Sequence, residues 1–441
     1  MMKNKVCIGY HSAKKHPAKS FISFLKSILF IVFCTATIMG STNLEGQSIF
    51  KEIPEYPFLR NDLNKISFPG KADAFEGLFE KMDKIFFQGK GQINIIHFGG
   101  SHIQADLFSN SFRNNLLTFH PGIIASRGLV FPFGAAKTNN PYNYITSYKG
   151  DWIPVRNIHR EIVKPLGLSG IAIYTSDTSA EINIKIRNSA FETYHEFNRI
   201  RIIGHSDSMS FEPILKLDGL FYLNGKFDSL TSSYLFELEN YTDSLSILFQ
   251  SNDTLYNPFV LSGIILENDF PGITYNSVGV NGASVPSYLK CDNLERDLQL
   301  LKPDLVIFSI GINDASGDNF NPEVFKSNYN ELIRRIKNVE PNCAILFTTN
   351  NDSYRRVRRR YYVNNNGPIA QKAFFELAEI HNAGVWDFFA IMGGLKSMAE
   401  WEKVGLANRD KIHFISPGYR LMGDLIFNAF ITEYVKHLST Q

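Results

Sequence analysis

The chain has 441 residues, 44% hydrophobic and 20% charged, with a formal net charge of +2. That length exceeds one ordinary domain and suits two, and the composition is that of a globular rather than a disordered chain. Six lysines crowd the N-terminus, and setting them aside turns the balance to about −4, which excludes a generally basic, nucleic-acid-binding protein.

Lys3, Lys5, Lys14, Lys15, Lys19 and Lys26 are the only charged side chains before Glu45. An apolar run over residues 28–39 follows, then Gly40, Ser41 and Thr42. A basic stretch, a short apolar core and small residues make residues 1–40 a secretory signal peptide. The expected protein is exported to the periplasm or beyond. The run falls short of the roughly 20 residues of a membrane span, so no stable membrane insertion is expected after cleavage. Beyond residue 40 only Cys291 and Cys343 remain. Neither has metal-type spacing, and both sit in apolar or helical surroundings that suit buried thiols. No zinc pattern, phosphate-binding loop or internal repeat is present.

Residues 41–90 read as an N-terminal segment with a helix over 75–87. Ile93-Asn94-Ile95-Ile96-His97-Phe98 is an apolar run that ends in Gly99-Gly100-Ser101-His102. It predicts a buried parallel strand, a sharp turn and then a helix over 103–117. The texture changes near residue 151. Short runs alternating at period two, at 171–174, 180–186, 199–203, 214–217, 234–238 and 244–249, predict an antiparallel β-sandwich over 151–268. Strands at 273–280, 304–310, 344–347 and 385–387 then alternate with helices at 284–301, 322–339, 368–381 and 417–435. Such alternation calls for a parallel sheet with helices on both faces. The expected architecture is an α/β domain built from residues 91–150 and 269–441, interrupted by the inserted sandwich.

Four short pieces fall in loops after strands or near the C-terminus. They are Gly99-Gly100-Ser101-His102, Val280-Asn281-Gly282-Ala283-Ser284, Gly311-Ile312-Asn313-Asp314 and Asp410-Lys411-Ile412-His413. A parallel sheet brings the first three to its carboxyl edge, where open α/β folds carry their chemistry. Acyl transfer needs a hydroxyl, a base to take its proton and a carboxylate to orient the base. Ser101, His413 and Asp410 supply these, the last two being three residues apart. The tetrahedral intermediate needs fixed donors. The Ser101 and Gly282 backbone N–H groups and the Asn313 amide fill that role. Each piece alone also reads as ordinary structure: Ser101 as a helix cap, Gly282 and Asn313 as turn residues, Asp410 and His413 as a surface turn. Their order, each at the correct edge, is what singles them out. His97 reads as a core histidine and His102 as structural or substrate-side. The run from Arg355 to Tyr362 follows a strand, so Arg355 and Arg356 could hold carboxylates of an acidic glycan; a solvated loop is the plainer reading. Trp386 and Trp401 suit the core.

Ser101, Gly282, Asn313, Asp410 and His413, in this order, resemble the four blocks of the SGNH (GDSL-type) hydrolase superfamily. The resemblance covers roughly residues 90–150 and 270–437. It implies a flavodoxin-like three-layer α/β/α sandwich and a Ser-His-Asp esterase that needs no cofactor or metal. The chain departs from the pattern at Gly100, where the family usually has an aspartate. The sandwich between the first and second blocks is similar to the arrangement in bacterial peptidoglycan O-acetylesterases, where a carbohydrate-binding-type module sits at that place. The expected substrate is thus an O-acylated, most simply O-acetylated, polysaccharide or peptidoglycan. A lipase, thioesterase or acyltransferase on the same scaffold is the rival enzyme. A glycan-binding protein with a silenced site is the rival from another class.

Overall fold

The computed structural model describes residues 48–440, apart from 121–122, 125, 188–194, 206–210, 218–220 and 251–256. The signal peptide expected over residues 1–40 lies outside the described residues. Among the described residues no helix is long and apolar enough to cross a membrane.

The α/β sheet has six strands: β1 (Ile66–Ser67), β2 (Gln92–Gly99), β3 (Gly272–Gly279), β4 (Leu305–Ser309), β5 (Ala344–Thr348) and β6 (Gly384–Trp386). Their spatial order is β1-β6-β5-β4-β2-β3. All neighbours are parallel except β1, which runs antiparallel along β6. Without that short edge strand the order is the doubly wound one of flavodoxin-like folds. The chain therefore leaves β2 toward opposite sides of the sheet, to β3 and later to β4. The crevice at the carboxyl ends of β2 and β4 is the topological switch point.

The strands read as apolar runs because both faces are covered. Ile93 and Ile95 of β2, with Leu305 and Ile307 of β4, face helices α1 (Asp73–Gln88), α2 (Phe108–Thr118) and α5 (Ser416–Thr440) in one core. Ile96, Phe98, Val306 and Phe308 belong to a second core, with helices α3 (Pro322–Val339) and α4 (Gly367–His381). Sequence sets the ends of these helices. Asn321 caps α3 by accepting from the N–H groups of Glu323 (2.9 Å) and Val324 (3.3 Å), with Pro322 in the first turn. Gly89 and Asn382 close α1 and α4 in left-handed conformations. His97 is a satisfied core histidine, within 2.6 Å of both the Tyr275 hydroxyl and Ser309 Oγ. Trp386 and Trp401 are fully buried, and Cys291 and Cys343 are free, buried thiols pushed up to about 12 by burial.

The insertion forms two antiparallel sheets of five and seven strands. Its limits differ from the sequence expectation. Gly128–Val130 pairs with Phe259–Glu267, and Tyr144–Lys149 pairs with Glu181–Ile186, so the β-rich module starts at Gly128 rather than near residue 151. The Tyr144–Lys149 strand shows mostly half-buried and exposed positions, which masks its alternation. The second core runs without a break from the module into the α/β layer. Leu168 N–H donates to buried Asp297 (2.9 Å), and Asn293 N–H donates to Leu166 O (3.0 Å), fastening a module loop to the Leu294–Leu301 helix. From Phe50 onward the chain is one compact unit.

Two expected helices are broken. The stretch after Ser101 is a single turn, Ser101–Gln104, followed by α2, because Asp106 adopts φ +52 between them. The helix expected over 284–301 is split into Val285–Leu289 and Leu294–Leu301; Arg335 Nη2 takes the Cys291 carbonyl at the break (2.8 Å). The arginine run, expected as a loop, is a hairpin of Tyr354–Val357 and Arg360–Val363.

Candidate active site

Strand β2 delivers Ser101 to the switch point. Gly99 permits the sharp turn: a Cβ added there would lie 2.1 Å from Ile103 Cγ1, so only glycine lets the Ser101–Gln104 turn fold back onto the strand end. Ser101 Oγ stands 2.8 Å from His413 Nε2, and His413 Nδ1 stands 2.8 Å from Asp410 Oδ2. The Asp-x-x-His block is a tight turn, not a helix, with Lys411 at φ +57. Asp410 Oδ1 accepts the N–H groups of Ile412 (2.9 Å) and His413 (3.0 Å). Partial burial opposes ionisation of Asp410. The hydrogen bonds from the His413 side chain and the two backbone groups outweigh it and hold the carboxyl down at about 2. An ionised carboxylate is acceptor-only, so it places the imidazole proton on Nδ1 and leaves the Nε2 lone pair toward the Ser101 hydroxyl. The His413 and Asp410 side chains are 37% and 38% exposed, so the relay is open to solvent.

The loops that carry the three expected donors meet next to the Ser101 turn. Asn313 follows β4 and gives one amide hydrogen to the Ala283 carbonyl (2.8 Å), which leaves its second for a substrate oxygen. A Cβ placed on Gly100 would lie 3.3 Å from Asn313 Nδ2 and 3.4 Å from Ala283 O, so the serine turn, the Gly282 loop and Asn313 meet within van der Waals reach. Gly282 has φ +82, a conformation that favours glycine, and nothing lies within 4 Å of where its Cβ would be. Asp314 ties the two loops together by accepting Val285 N–H at 3.2 Å through both oxygens. Burial pushes its carboxyl up to about 6.

His102 does not face a substrate. It is 7% exposed, within 2.7 Å of the Tyr419 hydroxyl, and its ring centroid lies 5.2 Å from that of His413. Burial, then the His413 charge, lowers its pKa to about 3, so it backs the triad as a neutral ring. Arg355 pairs with Asp318 at 2.6 Å, and Arg356 lies over the Tyr361 ring. Sequence reasoning missed Gln104. Its amide donates to Thr138 Oγ1 (3.0 Å) and Asn139 O (3.0 Å), while its oxygen accepts Asn281 N–H (2.7 Å), locking the loop before Gly282. Its position three after Ser101 is the only trace of this role in the sequence.

A doubly wound sheet that brings Ser101, His413 and Asp410 together at its switch point has the geometry of a serine ester hydrolase. Residues 241–421 match the model of the GDSL-like Lipase/Acylhydrolase family, a span that includes Gly282, Asn313, Asp410 and His413 but not Ser101. Over that span the chain resembles GDSL-like lipases and acylhydrolases, which are ester hydrolases. No curated protein matches it. Among solved structures it is similar to a peptidoglycan O-acetylesterase, with 21% identity over 84% of this chain and 99% of that one and a TM-score of 0.67, a shared fold. An acetyl xylan esterase aligns at 19% identity over 36% of this chain and 81% of its own, TM-score 0.29. An acetylxylan esterase from Geobacillus stearothermophilus aligns at 20% over 36% and 73%, TM-score 0.29.

Two substitutions probe the donors. Asn313→Ala should lower kcat by about 10²–10³ with KM little changed, the usual effect of losing one oxyanion donor; steady-state kinetics on a small acetyl ester would show it. Gly100 has φ −99, so no left-handed requirement bars a side chain there. Gly100→Asp should keep more turnover than Gly100→Leu, whose larger side chain must displace the Asn313 amide; equal turnover of the two variants would contradict this.

Proposed function

We propose that this chain is an exported esterase that removes O-acetyl groups from polysaccharide, with Ser101 as nucleophile. The observation that carries the reading is the continuous relay from Asp410 through His413 to Ser101, next to the loops that carry the three expected donors. Ser101 Oγ attacks the ester carbonyl while His413 Nε2 takes its proton. The oxyanion is held by the Ser101 and Gly282 N–H groups and the Asn313 amide. His413 returns the proton to the departing sugar oxygen, leaving an acetyl-enzyme. Water, deprotonated by the same imidazole, then releases acetate and regenerates Ser101. The intact relay speaks against a binding-only protein.

A polymeric substrate is supported by the open site and by the module inserted directly after the nucleophile block. The similar peptidoglycan O-acetylesterase is matched over 99% of its own length and 84% of this chain. We assign the module, from Gly128 to Glu267, to holding the glycan, and residues 1–40 to export. The test is acetate release from O-acetylated peptidoglycan and acetylated xylan, beside 4-nitrophenyl esters of graded chain length. Acetyl should be preferred; a strong preference for long acyl chains would overturn the reading.

A further inference from the structure

The hairpin over residues 354–363 reads Tyr-Arg-Arg-Val-Arg-Arg-Arg-Tyr-Tyr-Val, five cations and no acid. Its base is tied to both halves of the candidate site. On one side, Tyr354 N–H donates to Lys411 O (3.1 Å) and Asn351 Nδ2 to Ile412 O (3.0 Å), in the turn that carries Asp410 and His413. On the other, Asn364 Nδ2 donates to Ala315 O (3.0 Å) and Arg355 pairs with Asp318, both just beyond Asn313. Cross-strand partners share a face, so Arg355, Val357, Arg360 and Tyr362 point one way, and Tyr354, Arg356 and Tyr361 the other. The two faces therefore address the two site loops, and the hairpin stands between them. Arg356, Arg358, Arg359 and Arg360 are exposed, and among the described residues no carboxylate pairs with them. Exposed Arg409, on the His413 turn, extends the same positive rim, while Lys411 beside it pairs with Glu402 at 3.7 Å.

This charge is not incidental to composition. Past residue 40 the chain has about four more acids than bases, yet its densest run of cations lies at the mouth of the site. Five arginines in ten residues repel one another, a cost that a purely structural hairpin has no reason to keep. Guanidinium groups match carboxylates in planar, two-bond geometry. The interleaved Tyr361 and Tyr362 are exposed and offer flat faces to sugar rings.

We infer that the 354–363 hairpin is an anion clamp that holds carboxylate-bearing units of an acidic polysaccharide while an acetyl ester on the same strand enters the Ser101 site. The inference rests on the esterase reading above and adds its substrate class. The esterase reading selects an acidic glycan over nucleic acid or anionic membrane, which carry the same sign of charge but no acetyl ester for Ser101.

The test uses chemically acetylated polygalacturonate and the same polymer with its carboxylates capped as methyl esters, with 4-nitrophenyl acetate as a small neutral substrate. The full-length chain is compared with the triple variant Arg358→Gln, Arg359→Gln, Arg360→Gln, and acetate release is the readout. Three exposed pairs of ordinary strength should raise KM on the acidic polymer about tenfold, with kcat held. On the capped polymer KM should move less than twofold. Wild-type KM on the acidic polymer should also rise with salt, and on the capped polymer it should not. Equal KM shifts on both polymers, or no salt dependence, would overturn the clamp. Binding of anionic vesicles or nucleic acid through the hairpin without the selective KM shift would overturn it in favour of another partner. Failure to release acetate from any of the three substrates would instead strike the esterase reading.

Discussion

Ser101→Ala should reduce turnover by about 10⁴-fold or more, with the unfolding midpoint close to that of the wild type. The hydroxyl is the proposed nucleophile, 2.8 Å from the His413 nitrogen that would accept its proton. Its removal leaves the backbone donors and the rest of the site in place, so residual binding and weak catalysis of water attack can remain. The side chain contributes little to stability, because Ser101 is only partly buried and the turn is set by Gly99 and Ile103. Near-wild-type turnover in the purified variant would remove Ser101 from the mechanism. His413→Ala should fall to a similar level, and the double variant little further, because the members act as a unit.

Asp106→Ala should cost about 3–5 kcal/mol of stability, the range for leaving a buried partner charge uncompensated. Asp106 is 1% exposed, and so are Arg113 and Arg127. One carboxylate oxygen accepts from Arg113 Nη2 (3.0 Å), Arg127 Nη2 (2.7 Å) and the Asn143 amide; the other accepts from the Ser277 (2.7 Å) and Ser109 hydroxyls. These partners come from α2, the start of the module and β3, so this side chain cross-links three parts of the fold. Without it two guanidinium groups are buried with no counter-charge. Burial alone would raise the carboxyl pKa, but the two arginines more than reverse this and hold it far below the usual range. A depressed folded-state pKa means the stabilisation is present above the unfolded value near 3.8 and is lost as pH falls below it. Urea unfolding at neutral pH, repeated near pH 3, would read both effects. A neutral-pH loss under about 1 kcal/mol would show that the cluster relaxes without the carboxylate.

Much of this was legible in the sequence, for physical reasons. β2 and β4 are covered on both faces, so they appear as unbroken apolar runs, and Gly99-Gly100 marks where the first must turn. The triad spacing survives because Asp410 and His413 share one turn. The unread features depend on partners far along the chain. The break at Asp106 follows from arginines seven and twenty-one residues away, which no periodicity reports. Gly128–Val130 is three residues long and is a strand only because Phe259–Glu267 lies beside it. The hairpin at 354–363 lacks a clean apolar alternation because cations occupy positions on both faces. His102 looked available beside Ser101, yet the tight turn that exposes the serine sends its neighbour under Tyr419.

The position of the module between β2 and β3 also governs how the chain can reach its native state. β2 pairs on one side with β3, in a register that joins Gln92 to Gly272, and on the other with β4, where Ile95 meets Leu305. Neither neighbour exists until the whole module has been synthesised. Until then this buried strand has no partner in the sheet, and Arg113 and Arg127 await β3 to complete the site around Asp106. Closure over such distances is slow, because the loop entropy must be overcome before any native contact offsets it. Refolding from denaturant is therefore expected to lag behind that of α/β domains of the same size without an insertion. Esterase activity should return only in the slowest phase, after the β-rich signal has recovered. A newly made chain would remain pliable long after its first hundred residues emerged.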